Sequence, residues 1–497
     1  MNKDLAHLVD EARRTGTIAG LPRQHWIDGR RLPSASGGRM ETIDPGTGKA
    51  FTSVAAGDAS DVDLAIGAAR TALSGPWGSM VPAERGRLLA RISALIRAHA
   101  DRLAVAEALH AGKRLVEAQG DVGGAVRAFE YYAGACDKFQ GSSIPLGPDY
   151  VSYTRHEPIG VVGQIVPWNY PISTLVRGLA PALAAGCTIV AKPADQTPLT
   201  ALMLGEILAE AGLPSGVFNV VTGTGTEVGA PLVAHPGIDH ITFTGSVTTG
   251  ISVMQNAAPH VTRLALELGG KSPVIVLADA DLDIAIEGVL GAIFENAGQI
   301  CSAGSRLILE RRIHAGFVAK LVERTRALRV GHGLRAVDMG PVNSPAQLAR
   351  IGGFVERARA RGAEVLCGGR SAVDPETGLG WFHEPTILDG LTPDDEAVQC
   401  EIFGPVLCVQ IADTVEHAIA LANGTDYALA AGIYTRDLSH AHRIAERLDA
   451  GQVYINEFFA GGIETPFGGN RASGFGRAKG LEALASFSKL KCITARL

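Results

Sequence analysis

The sequence lacks the features that mark several common classes of protein. Its seven cysteines are odd in number and widely spaced, and no two of them form a CxxC pair. This spacing argues against a disulfide framework and against a zinc cluster. No apolar run approaches the roughly 18 residues of a membrane-spanning helix. The first residues, MNKDLAHLVDEARR, are charged and lack the apolar core of a secretory signal, so we expect a cytoplasmic protein.

A surplus of charge of either sign is also missing. The 45 basic and 51 acidic residues leave a net charge of −6 and form no long blocks, which gives no electrostatic basis for binding nucleic acid. Glycine, by contrast, is abundant, with 61 residues in a chain of 497. Most of these glycines stand singly within apolar runs, a pattern typical of many tight connections between strands and helices.

The pattern of the chain changes near residue 159. Residues 62–135 carry apolar residues at three- and four-residue spacing, which predicts helices. The stretch that follows, IPLGPDYVSYTRHEPIG, predicts an extended hairpin that leaves the main body. From residue 159, apolar strand-like runs alternate with helical runs, and a second set of the same kind begins at residue 272. This alternation predicts an α/β fold with parallel sheets and helices on both faces.

The length and the final segment complete the predicted architecture. One doubly wound domain of 497 residues would exceed the usual size of a single hydrophobic core, so we expect two α/β domains. The tail SKLKCITARL alternates like an edge strand. It would pair well with the sheet of a neighbouring subunit, because an exposed edge needs covering.

Two glycine-containing segments follow predicted strands and could open a phosphate-binding helix. GTGTEVG, residues 223–229, matches GxGxxG poorly because its third glycine lies one residue too far, and an ordinary loop and helix start explains it equally well. In FTGSVTTG, residues 243–250, Gly245 and Ser246 would offer free backbone N–H groups to a phosphate. Taken alone, Ser246 as a helix N-cap is the simpler interpretation.

Two further segments place polar side chains after strands. KPADQTP puts Lys192 and Asp195 where a ribose would be held, and an acidic residue there bonds the ribose hydroxyls and repels a 2′-phosphate. PWNYP is fixed by two prolines and Trp168, and its Asn169 amide could stabilise a developing oxyanion. The alternatives are a solvated helix start for Asp195 and an ordinary turn position for Asn169.

Glu267 and Cys301 are the candidates for chemistry. LELGGK places Glu267 in an apolar strand before a Gly-Gly turn, where burial would raise its pKa and suit it to general base catalysis. The alternative is a strand-end glutamate that reaches water. GQICSAGSR carries Cys301, either a nucleophile or, as is more usual for a lone cysteine, a small buried hydrophobe. Each motif alone leaves its alternative open.

The motifs become specific when they are taken together and in order. The chain contains PWNYP, KPADQTP, FTGSVTTG, LELGGK, GQICSAGSR, EIFGPV and PFGGNRASGFGR. In this combination the sequence resembles the aldehyde dehydrogenase superfamily, in its NAD(P)-dependent, hydrolytic, non-acylating form. The resemblance extends from about residue 26 to about residue 490.

The resemblance implies a role for each of three residues. The thiolate of Cys301 attacks the aldehyde carbonyl and forms a hemithioacetal, whose oxyanion is held by the amide of Asn169 and the backbone N–H of Cys301. Hydride transfer to the nicotinamide leaves a thioester. Glu267 then activates the water that hydrolyses the thioester to the carboxylic acid, which divides one hard oxidation into two easier steps.

The resemblance also implies a site for NAD, with NADP as the second choice. Glu401 would hold the nicotinamide ribose, and Phe403 would pack beside it. The implied cofactor residues are Ile165, Val166, Pro167, Trp168, Lys192, Asp195, Gly225, Gly229, Thr244, Gly245, Ser246, Leu268, Gln347, Arg350, Glu401 and Phe403.

The chain departs from the family pattern at two positions. The ribose-binding acid is often a glutamate, and here Asp195 is one methylene shorter. NAD remains the expected cofactor. Many members also carry a glutamate where this chain has Ala478, and that glutamate is proposed to assist proton transfer. Any relay through this position is lost, so Glu267 must act alone or through water.

The implied substrate tunnel carries unusual charges. Its residues are Tyr170, Ser173, Arg177, Glu295, Ile300, Ser302 and Phe459. Arg177 matches the carboxylate-binding arginine of succinate semialdehyde dehydrogenases, but Glu295 replaces their second arginine. Arg177 and Glu295 pair and narrow the tunnel in the favoured interpretation, because a buried charge needs a partner. Alternatively, Glu295 recognises a cationic or hydroxylated aldehyde, or Arg177 binds an acidic tail.

The family fold implies the division of the chain. Residues 1–136 and 158–269 would form the cofactor-binding domain, residues 270–476 the catalytic domain, and residues 137–157 and 477–497 an oligomerisation arm. We expect a homodimer or homotetramer that acts on a small-molecule aldehyde, without nucleic acid, membrane or metal.

Two competing classes share the fold. CoA-acylating dehydrogenases typically lack the base matched by Glu267, so its presence argues against them. A catalytically silent binding or structural member is disfavoured because Cys301, Glu267 and Asn169 are all present.

Overall fold

The computed structural model describes residues 3–497, and most of its strands belong to two large sheets. The central strands of the first sheet run parallel, while its edge strands pair antiparallel. In spatial order this eight-stranded sheet contains Arg30–Leu32, His25–Ile27, Phe218–Val220, Thr188–Lys192, Val161–Ile165, His240–Thr244, Arg263–Glu267 and Gly474–Phe475.

The second sheet has seven strands and is parallel except for one edge strand. In spatial order it contains Glu364–Cys367, Thr386–Asp389, Val406–Ala412, Arg306–Glu310, Pro273–Val276, Ala430–Tyr434 and Gln452–Ile455. Three two-stranded ribbons complete the main body; they pair Arg39–Asp44 with Lys49–Ala55, Ser371–Ala372 with Phe382–His383, and Tyr427–Ala428 with Asn470–Arg471.

A third sheet contains the predicted hairpin and the predicted tail strand. Its strands are Ser143–Ile144, Tyr150–Pro158 and Ser488–Arg496. The tail strand pairs antiparallel with Tyr150–Pro158 along its whole length, from Ser488 opposite Pro158 to Arg496 opposite Tyr150. The predicted edge strand therefore pairs with the hairpin of its own chain, whereas the sequence analysis expected it to pair with a neighbouring subunit.

Helices fill the connections between strands. Leu115–Ala135 is the longest, and none of the helices in residues 3–497 is long and apolar enough to cross a membrane. The helices are Lys3–Thr15, Ala59–Ser74, Pro76–Ser79, Pro82–Ala98, Ala100–Ala111, Leu115–Ala135, Pro171–Ala185, Leu199–Glu210, Ala230–Ala234, Val247–Ala257, Leu282–Phe294, His314–Arg326, Pro345–Ala360, Glu396–Gln399, Val415–Asn423, Leu438–Ala445 and Glu482–Ser486, with short helical turns at Gly225–Gly229, Ala258–His260, Glu295–Gly298 and Arg311–Ile313.

Alternating residues of each strand enter different cores, which explains the near-continuous apolar runs in the sequence. Val162 and Ile189 pack under the helices around Leu115–Ala135, while the adjacent Val161 and Val190 pack under Ala59–Ser74 on the other face. A strand covered on both faces has no polar side, as parallel sheets require. The predicted α/β class with doubly wound parallel sheets is confirmed.

The order of strands reverses in the middle of the eight-stranded sheet. From Val161–Ile165 the chain moves outward to Thr188–Lys192 and Phe218–Val220, and then returns to the opposite side of Val161–Ile165 with His240–Thr244. Open α/β sheets bind ligands in the crevice that such a reversal opens at the carboxyl ends of the strands. The crevice lies between Ile165 and Thr244.

One short strand crosses the expected division of the chain. Gly474–Phe475 pairs with Arg263–Glu267 and so completes the eight-stranded sheet, although the sequence analysis assigned residues 270–476 to the other domain. Glu267 is the last residue of the strand that pairs with Gly474–Phe475. A segment from late in the sequence therefore lies directly beside an earlier one.

Candidate active site

Four predicted site residues lie side by side along one edge of the eight-stranded sheet. Parallel pairing sets Lys192 opposite Ile165, and Thr244 opposite Glu267. All four are the last residues of their strands. Because the carboxyl ends of parallel strands meet at one edge, segments far apart in the sequence form one continuous site.

The Gly-Gly turn after Glu267 lets two other segments approach this edge. A Cβ atom on Gly269 would lie 2.4 Å from Oε2 of Glu401, and a Cβ atom on Gly270 would lie 2.3 Å from the carbonyl oxygen of Cys301. Either contact is too short for a side chain, so only glycine allows the approach. The spacing of LELGGK is thus explained by the neighbours of each glycine.

The loop before Cys301 is held in a strained shape. Asn296 and Ala297 both have positive φ values, 46° and 53°. The Asn296 amide donates to the carbonyl oxygen of Asn169 at 3.1 Å, and the Asn169 amide donates to the carbonyl oxygen of Gln299 at 2.8 Å. These reciprocal bonds fix the Asn169 loop against the Cys301 loop. They use one of the two N–H groups of the Asn169 amide and orient the other.

Cys301, Glu267 and Asn169 share the wall of one cavity of about 370 Å³. Pockets of this size commonly hold small molecules. All seven residues of the implied substrate tunnel also line it: Tyr170, Ser173, Arg177, Glu295, Ile300, Ser302 and Phe459. Ten of the predicted cofactor residues line its other side: Pro167, Trp168, Thr244, Gly245, Ser246, Leu268, Gln347, Arg350, Glu401 and Phe403.

Six predicted cofactor residues lie outside the wall of this cavity. They are Ile165, Val166, Lys192, Asp195, Gly225 and Gly229. Lys192 is nonetheless on the same sheet edge, and its ammonium group has no hydrogen bond or ion pair within residues 3–497, although it is only 4 % exposed. Burial lowers the pKa of Lys192, and nearby Asp195 partly opposes this effect. A buried, unpaired donor is suited to a polar ligand such as ribose.

Burial sets the protonation of the two reactive groups. It raises the pKa of the Cys301 thiol to about 11, a shift that the Arg177 charge opposes. It also raises the pKa of Glu267 to about 7, against the opposing charges of Arg177 and Arg477. Glu267 is only 8 % exposed, and its Oε2 has no hydrogen-bond partner within the described part of the chain. The predicted burial of Glu267 is therefore observed, and the carboxyl group titrates near neutral pH, as a general base should.

The cofactor side of the cavity is braced from outside. Phe403 has a positive φ of 61° and meets the ring of Trp168 edge to face at 5.3 Å. Gln347 donates to the carbonyl oxygens of Ile402 and Phe403, and Arg350 donates to that of Glu401. The two side chains that the resemblance linked to the ribose therefore hold the Glu401–Phe403 segment in place.

Glu401 is itself buried against the Gly-Gly turn. Its Oε1 accepts the backbone N–H of Gly270 at 3.0 Å. Burial raises the pKa of Glu401 to about 7, and this hydrogen bond opposes the shift. Its second oxygen faces Gly269 in the cavity wall, where it can accept from a hydroxyl group.

The favoured pairing of Arg177 with Glu295 is not observed. The described residues contain no ion pair between them within 4.0 Å. Burial raises the pKa of Glu295, next to Glu117, while Arg114 and Lys113 oppose the shift. Glu295 therefore lies in a charged cluster with Glu117, Arg114 and Lys113, and these groups influence its carboxyl group more strongly than Arg177 does.

Arg177 instead stacks on an aromatic ring together with a lysine that the sequence analysis missed. The Arg177 guanidinium lies 4.9 Å from the ring centre of Phe467, and the Lys479 ammonium lies 5.4 Å from it. Lys479 lines the same cavity as Cys301, and burial and Arg177 together lower its pKa to about 8. The sequence did contain one indication of this role: Lys479 directly follows Ala478, the position where many family members carry a glutamate that is proposed to assist proton transfer.

Other cavity residues were missed as well. They are Thr174, Gly269, Gln452, Tyr454, Ala460, Gly461, Phe467 and Lys479. Most of them come from residues 452–479, where the chain forms loops and short strands without a sequence pattern that indicates a tunnel wall. On the opposite wall, Lys113 lies 3.9 Å above the ring of Tyr170 and bonds Asp121 at 2.5 Å, which fixes that ring from behind.

The geometry by itself indicates the class of site. A cysteine, an amide donor and a buried carboxylate face one cavity that adjoins a strand-reversal crevice. Such a cavity suits covalent chemistry at a carbonyl carbon next to a nucleotide cofactor.

Comparison with known proteins identifies the family. The sequence model described as the aldehyde dehydrogenase family matches residues 32–493. A betaine aldehyde dehydrogenase of Bacillus subtilis is 42 % identical over 470 residues, which cover 94 % of this chain and 96 % of the relative. An aldehyde dehydrogenase of Aspergillus niger is 41 % identical over 475 residues, 95 % of each chain.

A solved structure agrees with these matches. Betaine aldehyde dehydrogenase from Staphylococcus aureus, in complex with NAD+, superposes with a TM-score of 0.95 at 36 % identity, over 99 % of this chain and 97 % of that chain. The chain belongs to the aldehyde dehydrogenase family. The predicted activity, NAD(P)-dependent oxidation of an aldehyde to a carboxylic acid, is confirmed at the level of this family.

Proposed function

We propose that Cys301 is the nucleophile, Asn169 the oxyanion donor and Glu267 the general base of a hydrolytic aldehyde oxidation. The observation that carries this assignment is their convergence on one cavity from three separate segments. A soft nucleophile, an amide donor and a carboxylate with a pKa near neutrality are the groups that hemithioacetal formation and thioester hydrolysis require.

The Cys301 thiol loses its proton as it attacks. With a pKa near 11 the thiol holds its proton at neutral pH, so a base must accept it. Glu267 lies in the same cavity wall and titrates at about 7. The free N–H of the Asn169 amide and the backbone N–H of Cys301 then hold the oxygen that becomes negative. Both donors are fixed before the reaction, so no reorganisation opposes the step.

Glu267 releases the thiol proton to water and then acts a second time when the thioester is hydrolysed. It accepts a proton from water, the water oxygen bonds to the acyl carbon, and the C–S bond breaks to release the Cys301 thiolate and the acid. Because Glu267 must be ionised for this step, the rate should rise with pH around 7. The presence of this base favours hydrolytic release over transfer to CoA.

The residues at the sheet edge fit NAD. Lys192 offers a buried, unpaired ammonium group, Glu401 offers a carboxylate oxygen beside Gly269, and Ser246 begins the helix Val247–Ala257. Asp195 beside Lys192 would repel a 2′-phosphate, which favours NAD over NADP. When bound, the nicotinamide accepts a hydride from the substrate carbon.

The tunnel charges favour an aldehyde with an acidic tail. Arg177 and Lys479 have no hydrogen bond or ion pair within residues 3–497, and both lie in the cavity wall. Partly buried, unpaired cations attract an anion. The face of Phe467 that they cover is no longer open to a quaternary ammonium group such as that of betaine aldehyde.

An aldehyde screen tests the proposal. Reduction of NAD and NADP is followed with aldehydes that have neutral, cationic and carboxylate tails of equal length, with and without CoA. We expect NADH formation, release of the free acid without CoA, and the highest kcat/KM for the carboxylate tail. A folded protein that binds NAD but oxidises none of these aldehydes would support the silent binding member, and a requirement for CoA would support the acylating class. If Arg177→Ala lowered kcat/KM equally for all aldehydes, the proposed preference for an acidic tail would be refuted.

We further propose that the protein is a cytoplasmic homodimer or homotetramer assembled through the arm. The three-stranded sheet exposes several large apolar side chains, which suit an interface between subunits. They are Tyr150, Val151, Tyr153 and Leu490. The seven unpaired cysteines are compatible with a reducing compartment. Light scattering coupled to size-exclusion chromatography, with Leu490→Lys as the variant, tests the assembly.

A further inference from the structure

A second cavity adjoins the tunnel at Glu267. It has a volume of about 40 Å³, and Cys301 is not part of its wall. Glu267 and the cation Arg177 are among the residues that line both cavities. The wall also includes Gln164, Gly178, Thr242, Arg477 and Ala478. This second cavity is called the rear chamber below.

The rear chamber lies on a polar patch of the sheet face, beyond the row that pairs His240 with Val162. Thr242 pairs with Gln164 on one side and with Ala265 on the other, and Thr244 pairs with Glu267 in the next row. Side chains two residues apart along a strand share a face. Gln164 therefore shares the face of Val162, which belongs to the large apolar core. Apolar packing does not account for a hydroxyl, an amide and a carboxyl group at this place.

Several polar atoms around the rear chamber lack a protein partner. Oγ1 of Thr242 and Oε2 of Glu267 are both shielded from solvent, and neither has a hydrogen-bond partner within residues 3–497. The Gln164 amide nitrogen donates to the carbonyl oxygens of Thr174 and Leu175, which fixes the orientation of the amide, and its oxygen has no partner in the same residues. Buried polar groups are normally satisfied by protein or by water.

The rear chamber is large enough for water. A buried water needs a cavity of roughly 10–15 Å³ and two to four polar partners. The chamber offers about 40 Å³, two buried atoms without a partner within residues 3–497, on Thr242 and Glu267, and the amide oxygen of Gln164. Two small residues keep it open: a Cβ atom on Gly178 would lie 2.4 Å from Nε2 of Gln164, and Ala478 contributes only a methyl group.

We propose that the rear chamber holds the water through which Glu267 exchanges its proton, and that the Thr242 hydroxyl positions this water. The proposal rests on the assignment of Glu267 as the base of thioester hydrolysis. During hydrolysis, one proton of the attacking water passes to Glu267 as its oxygen bonds to the acyl carbon, and the electrons of the breaking C–S bond remain on Cys301. Glu267 then gives that proton to a chamber water, which accepts a hydrogen bond from Thr242 and at the same time passes one of its own protons to bulk water past the half-buried Ala478 and Ser486 of the chamber wall. The carboxylate is restored without passage through the occupied tunnel.

The test separates hydrolysis of the acyl-enzyme from its formation. An activated aryl ester acylates Cys301 without oxidation, so release of the phenolate shows a burst for acylation followed by a slower steady rate for hydrolysis. In Thr242→Val, a substitution of equal shape, we expect an unchanged burst and a steady rate about tenfold lower, part of the hundredfold or more that general base catalysis contributes. Thr242→Ser keeps the hydroxyl and should restore the rate.

Two further variants make the test specific. Ala478→Leu fills the rear chamber from another wall and should also lower the steady rate while preserving the burst. Thr188→Val is the matched control, because Thr188 has an unpaired buried hydroxyl in the adjacent strand Thr188–Lys192 but lies away from the chamber. It should behave as the wild type.

Three outcomes would overturn the proposal. They are a steady rate of folded Thr242→Val within twofold of the wild type, an equal loss in Thr188→Val, and a proportional loss of burst and steady rate. The absence of any burst from the wild-type protein would instead refute the role of Cys301, so failure of the proposed function is recognised separately.

Discussion

The cofactor side and the aldehyde side of the cavity are built in different ways. The cofactor side consists of strand ends and backbone turns, with Gln347 and Arg350 bracing the Glu401–Phe403 segment from outside. The aldehyde side consists of side chains from the helix Pro171–Ala185, from the loop that carries Cys301, and from the strand and loops of residues 452–479. Its cations, Arg177 and Lys479, have no partner within the described residues. The first side is fixed by the fold, while the second can change its charge without changing the fold.

The difference shows where the chain can be specific. The cofactor side is formed by the carboxyl ends of paired strands. The positions of these residues cannot change unless the register of the strands changes too. The tunnel presents its own charges to the far end of the aldehyde. Function follows from sites placed on a fold, and here the two halves of one site differ in how closely the fold determines them.

Replacement of Cys301 should break the reaction and leave the cofactor side intact. In Cys301→Ala we expect aldehyde oxidation to fall by about a thousandfold or more, because the covalent route is removed. Calorimetry should show unchanged affinity for NAD. Cys400→Ala is the control, since Cys400 is also only half-buried but does not line the cavity. Loss of NAD binding in Cys301→Ala would contradict the independence of the two sides.

Replacement of Glu267 should slow both steps that need a base, the attack of the Cys301 thiol and the hydrolysis of the thioester. In Glu267→Gln we expect the steady-state rate to fall by about a hundredfold, the usual share of a general base. The wild-type rate should increase with pH to a plateau, with a midpoint near the pKa of about 7, and the variant should lose this dependence. A wild-type profile that is flat between pH 6 and pH 8 would contradict the assignment.

The same substitution should stabilise the folded protein at high pH. Burial raises the pKa of Glu267 from 4.5 to about 7, so between these values the unfolded state binds fewer protons and stability falls as pH rises. Gln removes this cost, which is about 3 kcal/mol above pH 7 for a shift of this size. Thermal unfolding at pH 8 should show a gain that is small at pH 5. Glu396→Gln, on the surface beside Arg357, should show no gain at either pH.

Replacement of Lys479 should change the preference among aldehydes. In Lys479→Met we expect kcat/KM to fall about tenfold for a carboxylate tail, the effect of losing one charged hydrogen bond, and to stay constant or rise for a cationic tail. Lys479→Arg should restore the preference. Because its pKa is about 8, the wild-type preference should weaken above pH 8. Lys489→Met, an exposed lysine of the tail strand, is the control, and a uniform loss in Lys479→Met would contradict an anion subsite.

Replacement of Asp195 should have the smallest effect, confined to the cofactor side. In Asp195→Ser we expect NADP use to improve severalfold relative to NAD, since the charge that repels a 2′-phosphate is gone. The preference among aldehydes should not change. Glu206→Gln, a surface acid paired with Arg31, should leave both ratios unaltered. A changed aldehyde preference in Asp195→Ser would show that the two sides are coupled.

Much of the fold could be predicted from residue patterns. Alternating apolar runs indicated parallel sheets because both faces of each strand are covered, as Val161 and Val162 show. The hairpin and the tail strand could also be predicted, since neither has the continuous apolar character of a buried strand. The strand Gly474–Phe475 could not, because two residues carry no period.

The candidate site could be predicted only in part. Cys301, Glu267 and Asn169 were identified by their motifs in combination, since no local pattern distinguishes a nucleophile from a buried thiol. The unpaired state of Arg177 could not be predicted, because its supposed partner Glu295 lies among Lys113, Arg114 and Glu117, which come from a distant helical segment. Lys479 was overlooked since a lone lysine in a loop usually faces solvent.

The strand Gly474–Phe475 also determines how late in synthesis the eight-stranded sheet beside the active site can be completed. Glu267 pairs with Gly474, and Arg477, Ala478 and Lys479 follow directly. Cys301, Asn169 and Glu267 are synthesised long before these residues. The strand of Glu267 lacks its outer neighbour in the sheet until Gly474–Phe475 has been added. Domains that fold as they are synthesised can thus shape the cofactor side early. We therefore expect the nascent chain to turn over aldehyde only after residues 474–479 have been added.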